Sequence, residues 1–364
     1  MDRDVFVYAL SKAFYMKPAI VRYLVDNIEN LSGLFELREK DLIDLFNGDR
    51  EVALNLLNPS LLEDANNDLE WAKRKGVKIL LMGDNEYPKL LMECDDAPMV
   101  LFYIGTADLN NYFPVSIVGT RMASAYGREA CRGLVSSVSM DNVMIVSGMA
   151  YGVDICAHKA ALEYGIPTIG VLPCGIDTIY PHPHRDIAKK MVENGGILTE
   201  FSPGSGVRKW HFLKRNRIIA GMSKALVVVE SRMTGGAMRT AEYANSYSRD
   251  VYAMPGRLCD TNSAGCNYLI SRNMAQICTY SSFREMCGLD KAGNTHIGGS
   301  ENLFLFDNDK KEKILLSLND NSMQDADALC ETTGFTFDEL APLLLELELE
   351  GKVVSDDLCR YKVR

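Results

Sequence analysis

Val143-Met144-Ile145-Val146-Ser147-Gly148-Met149-Ala150-Tyr151-Gly152-Val153-Asp154 carries the reading of the fold. Its first four residues are an unbroken apolar run, mostly β-branched, as in a strand covered on both faces. A glycine-rich turn follows, and then residues 155–164 with helical spacing. Strand, turn and helix in this order are half of a right-handed βαβ crossover. The alternation continues in both directions. Apolar runs fall at 78–82, 100–104, 115–118, 168–172, 196–199, 225–229 and 251–254, and helical stretches at 126–138, 184–193, 214–222 and 238–248. The pattern predicts an α/β domain over 67–288, built on an extended Rossmann-like parallel sheet.

The flanks read differently. Val5, Leu10 and Phe14, then Ile20, Val21, Leu24 and Val25, recur at helical spacing and predict a helical accessory domain over 1–66. Gly293, Gly298, Gly299 and Ser300 suit a flexible linker at 289–308. Beyond it, three helical stretches and two strands around an acidic turn predict a winged helix over 309–364. From Glu301 onward there are fifteen acids against seven bases. A DNA-reading winged helix is basic, so this module reads as one for a partner or for regulation.

Ten cysteines without a close Cys-x-x-Cys pair suit a reducing compartment. No apolar run approaches the roughly 18 residues of a membrane span, and Met1-Asp2-Arg3-Asp4 does not look like a secretory signal. The expectation is a cytoplasmic protein away from the membrane. The net charge of -10 argues against a polyanionic partner. However, 207–249 holds nine Lys or Arg against two acids, Glu230 and Glu242, so that this segment is +7 and the remainder -17. The local charge decides docking on one face.

In open parallel sheets ligands bind beyond the carboxyl ends of the strands, and here those ends are glycine-rich. They read Gly119-Thr120-Arg121, Ser147-Gly148, Gly175-Ile176-Asp177, and Thr234-Gly235-Gly236 after Glu230. Glycine allows close backbone approach, and the helix starts that follow present free N–H groups, so together they make an anion site. Any one of them also fits the tight turn that every α/β fold needs. None is a P-loop or a dinucleotide fingerprint. Arg121 is placed to clamp a phosphate.

In Lys209-Trp210-His211-Phe212-Leu213-Lys214-Arg215-Asn216-Arg217, cations interleave with rings. Single-stranded nucleic acid calls for this pairing, with cations along the backbone and ring faces for unstacked bases. Phe212 and Trp210 also read as core residues, and Asn216 and Arg217 as ties between loops. With the helix read from 214, Lys214 and Arg215 oppose its dipole by roughly 0.3–1 kcal/mol each, which a bound phosphate offsets. His182 and His184 lack further ligands at metal spacing. His158 has no nucleophile beside it and reads as structural. Neither a metal nor a catalytic residue is expected.

These motifs recur in order in a known family. Gly119-Thr120-Arg121, Ser147 to Asp154 with Ala157-His158, Gly175-Ile176-Asp177 with Tyr180-Pro181, Thr199-Glu200-Phe201, and Phe212 with Arg215-Asn216-Arg217 resemble the DprA/Smf family of DNA-processing proteins, over about residues 70–280. The resemblance implies a homodimer that binds single-stranded DNA in natural transformation, protects incoming strands, loads the RecA recombinase and needs no cofactor. It assigns the DNA pocket to Arg121, Lys209 and Phe212. The family's usual arginine in the second loop is Tyr151 here, and its serine-glycine-serine loop is Thr234-Gly235-Gly236. Two alternatives stay open: a nucleoside monophosphate phosphoribohydrolase, on Gly235-Gly236 with Thr240 and Glu242, or a nucleotide sensor.

Overall fold

Residue-by-residue alternation on the strands sets the layers. The computed structural model describes residues 2–363 apart from 15–16, 47–48, 140–141, 290–310, 312, 316, 319–323, 350 and 357–359. The described residues fall into two compact units, one up to residue 289 and one from residue 311. Almost all of the expected linker lies outside them.

The first unit is built on a nine-stranded sheet. Its strands are β1 (Lys78–Leu81), β2 (Val100–Gly105), β3 (Phe113–Val118), β4 (Val143–Ser147), β5 (Thr168–Val171), β6 (Gly195–Thr199), β7 (Ala225–Val228), β8 (Asp250–Ala253) and β9 (Gln276–Ile277), in the order β1-β2-β6-β5-β4-β3-β7-β8-β9. All eight expected runs are strands, and β9 is too short to have been read. From β6 to β9 all neighbours are parallel. The expected Rossmann-like parallel sheet is present, with an added edge where β2 pairs antiparallel with β6 and with β1. Only the one-turn helix α6 (Lys89–Met92) lies between β1 and β2, not the crossover helix that parallel pairing uses.

Both faces of the sheet are covered. Val115 and Ile117, Val143 and Ile145, and Ala225 and Val227 pack against α7 (Ala125–Ser136), α8 (Val153–Glu163) and α13 (Tyr280–Met286). Their neighbours Val118, Met144, Val146, Leu226 and Val228 pack against α10 (Lys209–Gly221), α11 (Gly236–Ser246) and α12 (Ala264–Ser271). This is the period of two expected of strands buried twice.

The N-terminal helices are α1 (Arg3–Ala13), α2 (Pro18–Asn27), α3 (Glu39–Leu45), α4 (Arg50–Leu56) and α5 (Leu61–Arg74). Their core continues into the sheet unit through Phe102, Ile197 and the helix α9 (Arg185–Glu193). The Tyr8 ring meets Phe102 edge-on at 5.5 Å, and its hydroxyl bonds Asp68 at 3.0 Å and Ser202 at 2.7 Å. The expected boundary at 66/67 falls inside α5, and the separate domain over 1–66 is corrected to a layer of one shared core.

The second unit has α14 (Ala326–Thr333), α15 (Phe337–Leu349) and a small antiparallel sheet of β10 (Gln324–Asp325), β12 (Arg360–Val363) and β11 (Val353–Ser355) in that order. Asp325 caps α14 by accepting from the Ala328 amide at 2.8 Å. Ile314, Leu329, Leu340, Leu344 and Val353 form its core.

His158 on α8 is fully buried, and its Nδ1 lies 2.7 Å from the hydroxyl of Thr168, which donates to the Ile145 carbonyl at 3.0 Å. That hydroxyl must therefore accept, which puts the imidazole proton on Nδ1. Burial, aided by Arg215, pulls the imidazole down to about 3. The unfolded chain binds a proton at about 6.5 and the folded chain does not, so stability is complete above that pH and is lost progressively between 6.5 and 3. Urea midpoints are expected to fall over this range, and to fall less steeply in His158→Gln.

A shared core also implies shared unfolding. Trp71 on α5 and Trp210 on α10 are the chain's two tryptophans. The urea transitions of Trp71→Phe and Trp210→Phe, followed by the fluorescence of the remaining indole, are expected to coincide.

Candidate functional site

The strand order reverses at β3 and β7, and a groove of about 540 Å³ opens beyond their carboxyl ends. This is where an open α/β sheet exposes the most backbone to a ligand. The loop after β3 is held from two sides. The Thr120 amide donates to the Glu230 carbonyl at 2.7 Å, and the Val153 amide to the Thr120 carbonyl at 3.2 Å. Gly152, at φ +80°, is the close approach that permits this, because a Cβ there would collide with the Thr120 carbonyl. The Glu230 carboxylate, buried, accepts from the Ser124 amide at 2.9 Å and its hydroxyl at 2.5 Å.

The second wall is α10. It begins at Lys209, a turn earlier than the sequence suggests, after the extended Arg208. At 3.6 residues per turn Lys209, Phe212, Leu213 and Asn216 share one face, and all four line the groove. Lys209, not Lys214, therefore sits at the positive end of the helix dipole.

The remaining cations of the stretch turn inward, which corrects the expectation of one exposed basic face. Arg217 is buried between Glu200, to which it is directly paired, and Asp96, whose carbonyl it reaches at 2.5 Å. Lys214 points to the same Glu200 at 3.9 Å, and burial pulls its ammonium down to about 8 against the attraction of that carboxylate. Arg215 lies beneath the groove as part of its floor, 3% exposed, with Asp154 at 3.9 Å. Burial lowers it to about 10. Its Nε and Nη1 have no hydrogen-bond partner among the described residues. The floor is therefore a cation with hydrogen-bonding capacity to spare. Ser147 and Gly148 are not open either. The Ser147 hydroxyl donates to the Ile117 carbonyl at 2.6 Å, and Gly148 leaves the space that the Arg215 guanidinium fills.

Above the floor, the Arg121 guanidinium stacks 4.8 Å from the Phe212 ring centre, and Tyr180 meets that ring edge-on at 5.7 Å. Opposite, Arg232, Thr234, Gly235 and Gly236 line the start of α11. Gly235 caps this helix without a side chain, and the space beside Gly236 is open. Asn216 joins the two helices through the Gly236 carbonyl at 3.3 Å. Sequence reasoning missed Arg232, Leu213 and Tyr180. Arg232 was legible from its place in the basic segment and the loop after β7. Tyr180 was not, because only the fold carries it to Phe212. Trp210 is exposed outside the groove and meets His211 edge-on.

His184 is buried against the Met149 carbonyl at 2.7 Å, and Tyr151 packs on its ring. Among the described residues no three metal-ligating side chains gather, and no helix is long and apolar enough to cross a membrane. Thr240 lines the groove, while Glu242 is on the exposed side of α11, paired with Arg239 at 2.7 Å.

Residues 78–287 match the family model described as DNA recombination-mediator protein A, and residues 306–357 match the DprA winged helix domain. The chain belongs to the DprA family. The DNA processing protein DprA of Streptococcus pneumoniae is 35% identical over 266 residues, 72% of this chain and 91% of that protein. Protein Smf of Escherichia coli is 32% identical over 284 residues, 76% of this chain and 75% of its own length. The crystal structure of the pneumococcal DprA has a TM-score of 0.65 at 30% identity, covering 78% of this chain and 98% of that one. DNA processing protein A from Helicobacter pylori, solved for its single-stranded DNA binding mode, has a TM-score of 0.53 at 30% identity, covering 57% and 94%. The family match extends to the second unit, which is a DprA winged helix domain.

Gly148→Ala places a methyl group where the Arg215 guanidinium lies. A loss of about 1–3 kcal/mol in urea-derived stability is expected, and less than that in Arg215→Ala, where the conflict is absent.

Proposed function

We propose that this DprA-family chain binds single-stranded DNA in the groove between β3, α10 and α11. The carrying observation is the Arg121 guanidinium on the Phe212 ring, beside Lys209 and above the buried Arg215. Phosphates bind to Arg121, Lys209 and Arg232, to the Gly119 amide and the Thr120 hydroxyl, the Thr120 amide being committed to the Glu230 carbonyl, and to the start of α11 at Thr234, Gly235 and Gly236. Bases stack on Phe212 or on the guanidinium plane that covers it. Arg215 holds a fixed positive potential under the site, and Asn216 sets the spacing of its walls. Lys214, Arg217, Ser147 and Gly148 support the groove from behind and do not touch the strand.

In the cell the chain protects incoming strands in natural transformation and hands them to the RecA recombinase. It acts in the cytoplasm as a homodimer, without catalysis or cofactor. Membership of a family described as recombination mediators supports this reading, as does the H. pylori relative solved for its single-stranded DNA binding mode. The hydrolase reading is less well supported, because Glu242 faces solvent beside Arg239.

Filter binding of a single-stranded oligonucleotide across salt concentrations tests the site. Arg121→Ala and Lys209→Ala are expected to weaken binding and flatten its salt dependence, each by about one phosphate contact. Phe212→Ala is expected to cost about 1–3 kcal/mol with the salt slope kept. Lys214→Met is expected to leave both unchanged. Unaltered affinity in the first three variants refutes the reading.

A further inference from the structure

Two cysteines meet between helices that the proposed function does not use. Side chains on a helix lean toward its N-terminus. Cys131 on α7 thereby lies 4.0 Å from the Val153 carbonyl, one turn before Cys156 on α8. Cys156 in turn lies 3.5 Å from the Arg128 carbonyl, one turn before Cys131. Each sulfur reaches under the turn that carries the other, so that the two thiols face one another across the α7–α8 contact. Both are free. Cys131 is fully buried, whereas Cys156 is half-buried and lines a groove of about 780 Å³ together with Arg128, Arg132 and Lys159.

We propose that Cys131 and Cys156 are a redox-responsive dithiol, which a low-molecular-weight disulfide entering this groove oxidises to an intramolecular disulfide. The roles are unequal. Pairing with Cys131 and the three cations lower the Cys156 thiol below its usual value, and the same pairing and then burial raise Cys131 well above its own. Cys156 is the attacking sulfur. Its thiolate attacks one sulfur of RSSR, the S–S bond breaks, and RS⁻ leaves and takes up a proton. Cys131 then loses its proton, its sulfur attacks Cys156 of the mixed disulfide, and the second RS⁻ leaves with that proton. The balance is two thiols and RSSR giving one protein disulfide and two RSH.

A transient disulfide of this kind suits a chain whose cysteines are otherwise scattered thiols. It would join α7 and α8, which begin at the two loops in contact at Gly152, and the groove it opens into shares Arg121 with the candidate site. The pair stands on its own geometry and does not depend on the ligand proposed above.

The test treats the native full-length chain with glutathione disulfide at neutral pH, quenches with acid and maps the peptides by mass spectrometry. A peptide linking Cys131 to Cys156 is expected, without glutathione on either. Cys156 is expected to be consumed several-fold faster than the exposed Cys259 in the same sample. Cys131→Ser is expected to stop at glutathione on Cys156, and Cys156→Ser to leave Cys131 unmodified. The wild-type map is decisive even if a variant folds poorly. Absence of the linked peptide once Cys259 has reacted, or glutathione persisting on Cys156 in the wild type, overturns the proposal.

Discussion

The rotation of α10 about its own axis is set by where it buries charge, and the groove depends on that setting. Arg217 and Lys214 share Glu200 on one side of the helix, and Arg215 faces Asp154 on another. A buried ion left without its partner costs several kcal/mol. A rotation that brought these cations into the groove would leave Glu200 and Asp154 buried and unpaired. The face that remains for the groove is Lys209, Phe212, Leu213 and Asn216. The basic residues of this stretch therefore do two jobs, and the internal ones hold the external ones in place.

The same economy appears in the loops. Gly152 lets the loop after β4 press against the loop after β3, so that Arg121 leaves the sheet from a backbone bonded on both sides. Glu230 closes the third side through Thr120 and Ser124. Binding side chains on such a base lose less freedom on meeting a ligand than side chains on a free loop would. The site is also more electropositive than a net charge of -10 suggests. Arg215 is a cation in a low-dielectric floor, with its carboxylate partner at 3.9 Å and two nitrogens uncommitted among the described residues. Charge held out of water acts over a longer range than the same charge on the surface.

Much of the fold was legible because burial on both faces of a parallel sheet forces continuous apolar runs. All eight of those runs became strands, and the glycine turns marked the ends where the groove lies. The antiparallel edge was not legible, since the direction of β1 and β2 depends on connections rather than on composition. The boundary at 66 failed for a related reason. Helical periodicity shows that a segment has an apolar face, but not that the face is covered by a sheet strand such as Phe102 and its neighbours.

The sequence by itself determined the order of chemistry along the chain: which apolar runs are strands, which loops are rich in glycine, and where cations and rings cluster. Those properties are local, governed by backbone freedom, side-chain period and composition. Only the tertiary structure decided which cations reach the groove. The start of α10 at Lys209 instead of Lys214 turns the face of the helix. The acids that claim Arg215 and Arg217 come from positions 154, 200 and 96, far apart in the chain. Opposite charges that meet only after folding leave no periodic trace in the sequence, and here they decide which side chains face the groove.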